Sequence, residues 1–295
     1  MSNDSPKPVR ITREQIAAYT STNYEVHGDG PPLLMYSPGG FDASLDKWAD
    51  LGVYARIKLL EHLPKKFSCI IFDRRETGQS GGRVERITWD HYVEQGKGLL
   101  DHLGHKQAHL LGGCMGVCPV TAFAVKYPQM VSSMVLFWPV GGAGFRIRAH
   151  GRFSRHLALV EQSGLAGVVE AAKKSTAGFG KEPQVGPWAP VIRSDAAFAE
   201  QYAKLNVEHY KLIIEGMAQT LIDRDTAPGA EPEDLMRLSI PTLIIPGKDI
   251  AHATSAARYL EECIPGAEYW DLPPDAQTEA NTPERISTFL EKHAP

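Results

Sequence analysis

The feature that most constrains this chain is a short glycine-flanked cysteine segment, residues 112–116, which reads Gly-Gly-Cys-Met-Gly. A strand-like apolar run precedes it, and a helix-like run, Val117 to Tyr127, follows it. A residue at the tip of a tight strand-to-helix turn has a strained backbone, so its neighbours two places away must be almost free of side chains. Gly112 and Gly116 satisfy this requirement around Cys114. The segment predicts a nucleophile elbow with cysteine at its tip; the alternative is a structural cysteine in a glycine-rich turn.

Length, charge and cysteine usage limit the class of protein. At 295 residues the chain is long enough for one elaborated domain or for a core with an insertion. A net charge of −4 gives no reason to expect nucleic acid or an anionic membrane as partner. The segment Met1 to Arg13 lacks the apolar stretch of a signal peptide. The four cysteines lack CxxC spacing, which is typical of reduced thiols, so we expect a cytoplasmic protein.

Short apolar runs of buried-strand length alternate with helical patterns along most of the chain. The strand-like runs are Pro32–Tyr36, Phe67–Phe72, His109–Leu111, Ser133–Trp138, Pro241–Ile245 and Ala267–Leu272. The helix-like runs are Asp46–His62, Trp89–Leu103, Val117–Tyr127, Ala253–Cys263 and Pro283–His293. This alternation predicts an α/β fold, with a mostly parallel sheet covered by helices on both faces.

The alternation stops between Gly141 and Arg237, where no strand pattern occurs. Helical stretches take its place, including His156–Val169 and Asp195–Ile222. We therefore expect a helical cap, residues 141–235, inserted into a core that consists of residues 1–140 and 236–295.

Four landmarks together make the chain resemble the α/β-hydrolase superfamily. They are Leu33-Leu34-Met35-Tyr36-Ser37-Pro38-Gly39-Gly40-Phe41 followed by Trp48, then Phe72-Asp73-Arg74-Arg75-Glu76-Thr77-Gly78-Gln79-Ser80, then the elbow, and then Ile245-Pro246-Gly247-Lys248-Asp249. The resemblance implies an oxyanion loop in the first segment and the acid of a catalytic triad in the last. It also implies that Cys114 is the nucleophile, that Asp249 is the acid, and that the backbone N–H groups of Phe41 and Met115 form the oxyanion hole.

The chain departs from this family where the histidine of the triad normally stands. The span from Pro273 to Glu284 contains no histidine, and the usual position falls near Ala276 or Gln277. His252 is the candidate replacement, because it follows Asp249 by three residues at the end of the same strand, where this architecture binds substrate. The alternative is a histidine that only caps the following helix. His150, His156 and His209 are weaker candidates.

Cysteine makes the missing histidine less damaging than it is for serine, because a helix N-terminus lowers the pKa of a thiol. We expect Gly40, Trp138 and Glu76 to line the substrate pocket, with Arg146, Arg148, Trp188 and Tyr210 of the cap. Asp73, Arg74 and Arg75 are expected to tie down the loop after their strand. No metal-ligand spacing or dinucleotide motif is found, so no metal and no cofactor are predicted.

The sequence thus predicts an enzyme that attacks a small acyl compound, an ester, thioester, lactone or activated ketone, through an acyl-cysteine intermediate. The cysteine elbow resembles dienelactone hydrolases, and the capped core resembles esterases and carbon–carbon bond hydrolases. Two alternatives stay open: a lyase, decarboxylase or isomerase on the same fold, and a catalytically silent small-molecule binder. The expected partner is a small-molecule substrate, and the oligomeric state is left open, a homo-oligomer included.

Overall fold

A computed structural model describes residues 9–11 and 21–294 of the chain. Within these residues, eight strands form one sheet in the order β1-β2-β4-β3-β5-β6-β7-β8. The strands are β1 (Val9–Ile11), β2 (Thr22–His27), β3 (Pro32–Tyr36), β4 (Ser68–Phe72), β5 (Ala108–Gly113), β6 (Val131–Phe137), β7 (Thr242–Ile245) and β8 (Glu268–Tyr269).

The sheet is parallel from β4 through β3, β5, β6 and β7 to β8, and β1 and β2 extend it with antiparallel pairing. Every residue of β4 and β5 is buried, as their continuous apolar sequence requires when helices cover both faces. Apolar clusters lie on either side of the sheet, so the parallel sheet that the alternation predicts is confirmed.

The helices fill the connections between strands. They are α1 (Lys47–Asp50), α2 (Gly52–Ile57), α3 (Leu59–His62), α4 (Trp89–His102), α5 (Val117–Lys126), α6 (Ala143–Lys174), α7 (Ala189–Ser194), α8 (Ala196–Ala203), α9 (Val207–Leu221), α10 (Pro232–Leu235), α11 (Thr254–Cys263) and α12 (Thr282–Lys292).

Some predicted elements differ from the structure. The single helix predicted over Asp46–His62 is wrong, because Leu51 is extended and Lys58 adopts a left-handed conformation, with φ of −100° and 55° respectively. The stretch Asp195–Ile222 is likewise two helices, α8 and α9. Strand β2 was not predicted, since its sequence Thr-Asn-Tyr-Glu-Val-His has few apolar residues. The segment Met1–Arg13, which is not expected to be a signal peptide, lies largely outside the described residues.

The insertion between β6 and β7 contains helices α6 to α10 and no described strand, while β6 and β7 themselves are neighbours in the sheet. It contacts the core through polar bonds: the Gly180 N–H donates to the Asp42 carboxylate at 2.7 Å, and the Trp188 indole N–H donates to the Arg83 carbonyl at 2.9 Å. Its division from the core as a separate cap stays a prediction. No described helix has the length and apolar character that crossing a membrane requires.

The start of α5 lies directly against the end of β3. A Cβ atom added at Gly116 would lie 2.2 Å from the Tyr36 carbonyl oxygen, and one added at Gly112 would lie 2.5 Å from the Gly116 oxygen. Both contacts are with backbone, which cannot rotate away. The two glycines are thus required for the close approach that the elbow pattern predicts.

We predict that Gly116→Ala lowers the free energy of unfolding by about 2–3 kcal/mol, because the added methyl group forces strand and helix apart. Gly151→Ala is the matched control: Gly151 lies within α6 and a Cβ there meets no atom within 4 Å. That change should stabilise the protein by about 0.5–1 kcal/mol. Urea denaturation measures both, and equal effects of the two substitutions would contradict the close approach.

Candidate active site

Cys114 lies at the tip of the turn that joins β5 to α5. Its φ is 54°, a left-handed conformation that is uncommon for a residue with a side chain. The residue is partly buried and packs against the apolar clusters on both sides of the sheet. The strained backbone is typical of a nucleophile elbow, and it places the sulfur at the carboxyl edge of the parallel strands.

Two backbone N–H groups point at the Cys114 sulfur, those of Gly39 and Met115. Met115 is one of the two predicted oxyanion donors, and the role of Phe41 as the other stays a prediction. The side chain of Phe41 packs against Phe153 and Phe179, with ring centroids 5.2 and 5.6 Å away. The loop that carries Phe41 turns sharply before it, because Gly39 and Gly40 both adopt positive φ.

Asp249 and His252 lie on one tight turn after β7. The Asp249 carboxylate accepts the backbone N–H groups of Ala251 and His252, at 2.7 and 2.9 Å. It also bonds the Nδ1 atom of the His252 ring at 2.9 Å. The carboxylate thus fixes both the turn and the ring, with Nδ1 toward the acid and Nε2 free for chemistry.

The His252 ring is held from several sides. It packs on the Trp138 ring, with centroids 5.4 Å apart. A Cβ atom at Gly247 would meet both side chains, at 2.6 and 3.0 Å, so only glycine leaves room for them. The backbone of His252 forms a bridge with Gly141, which follows β6. Trp138 therefore supports the candidate base, beyond the pocket-lining role predicted for it.

Cys114 and His252 shift each other's protonation. Burial raises the pKa of the Cys114 thiol, but the nearby His252 charge and the N–H groups of Gly39 and Met115 together outweigh it, so the pKa lies below its ordinary value. Burial lowers the pKa of His252, but the Cys114 charge and the Asp249 carboxylate outweigh it and raise the pKa to about 10. The ring's Nε2 makes no regular hydrogen bond to a described residue. These shifts favour a thiolate–imidazolium pair whose two groups titrate together.

Asp249 stays ionised beside this pair. The hydrogen bond from His252 lowers the pKa of the Asp249 carboxyl to about 2.

Tyr54 packs near the elbow: its hydroxyl donates to the Phe137 carbonyl at 3.3 Å, and its ring packs on Trp48 and Phe137. The sequence analysis did not single out Tyr54, because its contacts with the elbow come from a distant part of the chain.

Gln277 occupies the place where the family's histidine was expected. It is completely buried, and its amide nitrogen donates to the carbonyls of Pro246 and Leu272 at 2.8 and 2.9 Å. Its oxygen accepts the indole N–H of Trp138 at 2.7 Å. Gln277 therefore joins the ends of β6 and β7 as a structural group, while the candidate base His252 packs on the Trp138 ring.

The remaining predicted pocket residues differ in their surroundings. Gly40 faces open space, since a Cβ atom there meets nothing within 4 Å. Glu76 is buried and paired with Arg75, and burial raises the pKa of its carboxyl to about 7. Trp188 and Tyr210 are fully buried inside the insertion, which makes them packing residues.

The other histidines and cysteines take part in different contacts. His150 bonds the Ile222 carbonyl at 3.0 Å, and His156 is buried against the Tyr210 hydroxyl at 2.6 Å. His293 packs on Phe289 at the end of α12. Cys118 is completely buried one turn after Cys114, and burial raises the pKa of its thiol. Among the described residues, no group of three or more His, Cys, Asp and Glu side chains has an arrangement that holds a metal ion.

Comparisons with known proteins identify the fold. A sequence model of the alpha/beta hydrolase fold family matches residues 32–141. A thermophilic esterase from Thermogutta terrifontis has a TM-score of 0.62 at 22% identity, covering 98% of this chain and 100% of that chain. A meta-cleavage product hydrolase from Pseudomonas fluorescens has a TM-score of 0.58 at 19% identity, covering 97% of each chain. The predicted α/β-hydrolase fold is therefore confirmed.

Curated relatives match parts of the chain. A 2-hydroxy-6-oxononadienedioate/2-hydroxy-6-oxononatrienedioate hydrolase from Paraburkholderia phymatum is 48% identical over 136 residues, 46% of this chain and 41% of that protein. A 2-hydroxymuconate semialdehyde hydrolase from Pseudomonas is 31% identical over 135 residues, 45% of this chain and 44% of that protein. The chain spans less than half the length of the curated relatives it matches.

We predict that iodoacetamide alkylates Cys114 faster than Cys69, Cys118 or Cys263, whose thiols are buried and have a raised pKa. Because the pKa of Cys114 is lowered, its alkylation rate should reach its plateau at a lower pH than that of an ordinary thiol. In His252→Ala the main lowering influence is lost, so the rise of the rate should move to higher pH. His150→Ala should leave the profile unchanged; a wild-type profile like that of a free thiol would contradict the ion pair.

Proposed function

We propose that this protein is a hydrolase in which Cys114 attacks a carbonyl carbon and forms an acyl-cysteine intermediate. The observation that carries the proposal is the connected set at the carboxyl edge of the sheet: Asp249 bonds Nδ1 of His252 at 2.9 Å, and the ring forms a charged pair with Cys114. Nucleophile, base and orienting acid in this relation are the working parts of a catalytic triad. Their order along the chain, with acid and base three residues apart, is unusual but their roles are the same.

In the first half-reaction the Cys114 thiolate forms a bond to the carbonyl carbon, and the carbonyl electron pair moves to oxygen. The N–H groups of Gly39 and Met115 are the proposed donors to this oxyanion, in place of the Phe41 and Met115 pair. Losing one such donor typically reduces the rate by about 100–1000-fold. Collapse of the adduct breaks the bond to the leaving group, which takes the proton from Nε2 of His252.

In the second half-reaction His252 is neutral and its Nε2 removes a proton from water. The water oxygen attacks the thioester carbon, and the tetrahedral adduct expels the Cys114 thiolate with the acid product. The proton remains on His252, so the thiolate–imidazolium pair is restored. Asp249 stays ionised throughout and stabilises the ring whenever it is protonated.

The similarity to named relatives supports one member of the predicted substrate class. Both relatives described above are hydrolases, and the Paraburkholderia name describes an oxo acid. We propose that activated ketones bearing a carboxylate are candidate substrates, together with esters, thioesters and lactones. The complete acid–base–nucleophile set weighs against a silent binder, while a lyase or isomerase would use the same pair without a stable acyl group.

The direct test is to trap the intermediate. Acid quenching after incubation with p-nitrophenyl esters, thioesters and a 2-hydroxy-6-oxo-dienoate should show, by mass spectrometry, one acyl group on the peptide that carries Cys114. Cys114→Ala should abolish both the adduct and turnover. Cys263→Ala, which changes a thiol buried in α11, is the control and should retain both. Turnover to a non-hydrolytic product without any adduct would favour the lyase or isomerase.

We predict that His252→Ala lowers kcat/KM by about 100–10,000-fold, the usual effect of removing a positioned proton-transfer group. The melting temperature should also fall, because the ring packs on Trp138 and its protonated form is stabilised by Asp249, so the rates are compared well below both transitions. The wild-type rate should fall at high pH as the His252 imidazolium, with its pKa of about 10, loses the proton that the leaving group needs. If His252 only caps α11, the substitution should cost about 1 kcal/mol of stability and leave the rate almost unchanged.

A further inference from the structure

Arg74 lies immediately after β4 and is buried to 1% exposure, although it carries a full positive charge. Its Nη2 atom donates to the carbonyl of Gly40, within the oxyanion loop. Its guanidinium lies over the Tyr92 ring, 4.8 Å from the centroid, a favourable cation–π contact. The expected loop-tying role is therefore present, and it uses one of the donor atoms.

The other two nitrogens of this group, Nε and Nη1, are buried and make no hydrogen bond to a described residue. The neighbouring carboxylates do not accept hydrogen bonds from these nitrogens, because Glu76 and Glu85 are both bonded to Arg75. Buried polar groups are almost always hydrogen-bonded, and a charged donor left without a partner is particularly costly. Two open donors on one buried guanidinium therefore point to an acceptor that binds from outside the chain.

These donors lie next to the candidate active site. The carbonyl that Arg74 holds belongs to Gly40, whose neighbour Gly39 directs its N–H at the Cys114 sulfur. The side-chain direction of Gly40 opens on empty space. Arg74 is also close enough to Cys118, one turn after the nucleophile, to act on its charge. An anion bound at Arg74 would thus lie beside the oxyanion loop, whose Gly39 N–H interacts with the Cys114 sulfur.

We propose that Arg74 binds a carboxylate group of the substrate and so selects anionic acyl compounds, an inference that rests on the proposed function. A carboxylate is the matching ligand, because its two oxygens accept several N–H groups of a planar guanidinium at once. Nη2 lies between the two unpaired nitrogens, so a carboxylate accepts from one of them and from the second N–H of Nη2. Tyr92 covers one face of the guanidinium, so the ligand approaches in the plane of the group.

The test compares two esters of matched length, mono-p-nitrophenyl glutarate, which carries a carboxylate, and neutral p-nitrophenyl valerate. Arg74→Met should reduce the ratio of kcat/KM for the anionic ester over the neutral one by about 10–100-fold, the usual value of hydrogen bonds to a charged group. Arg74→Lys should keep part of the ratio. Arg75→Met removes the adjacent arginine with its Glu76 and Glu85 bonds, and it should lower the melting temperature while the ratio stays unchanged.

A second measurement does not require turnover. Glutarate at millimolar concentration should raise the melting temperature of the wild-type protein and of Cys114→Ala, but not that of Arg74→Met. If the wild type hydrolyses neither ester yet shows this shift, the proposed function fails and the anion site stands.

Three results would overturn the anion site. One is a glutarate shift that is absent from the wild type or persists in Arg74→Met. Another is an equal loss for both esters in Arg74→Met, which would show that the residue only holds the oxyanion loop. The third is loss of the selectivity in Arg152→Met and not in Arg74→Met. That result would assign the carboxylate to Arg152, a half-buried arginine on α6 that bonds the Gly180 carbonyl.

Discussion

The close backbone approach between β3 and the start of α5 is the constraint on which the candidate site depends. Without side chains at Gly112 and Gly116, the turn brings Cys114 to the edge of the sheet at a positive φ. The same approach places the loop after β3 beside the elbow, so that the Gly39 N–H reaches the sulfur. One steric requirement thus creates both the nucleophile's exposure and part of its electrostatic environment.

The candidate base lies at a different position of the fold from the one that the family resemblance implies. Gln277 fills the place expected for histidine and is bonded on three sides to backbone carbonyls and the Trp138 indole. The His252 ring packs on the Trp138 ring, on a turn that Asp249 itself fixes. Because acid and base share this turn, the orientation of the ring depends on local hydrogen bonds more than on the packing of a distant loop.

Local patterns explain what the sequence could predict. The strands were recognisable because buried parallel strands are continuously apolar, and the elbow because its glycines are required by sterics at fixed spacing. The interaction of the Gly39 N–H with the Cys114 sulfur was not predicted, since successive glycines leave the path of a loop undetermined. The break at Lys58, strand β2 and the orphan donors of Arg74 depend on contacts with distant residues, which no local pattern contains.

The charged groups around Cys114 are unevenly distributed along the sheet. The thiolate and the imidazolium neutralise each other, so Asp249 leaves a negative charge on the β7 side. Arg74 places a positive charge beyond the oxyanion loop, on the β4 side. If Arg74 binds the substrate carboxylate as proposed, an anionic substrate has one favourable orientation, with its carboxylate toward Arg74 and its leaving group toward His252. In that orientation the carbonyl lies between the two ends, where Cys114 and the N–H groups of Gly39 and Met115 meet, so recognition of the charge also aligns the bond that breaks.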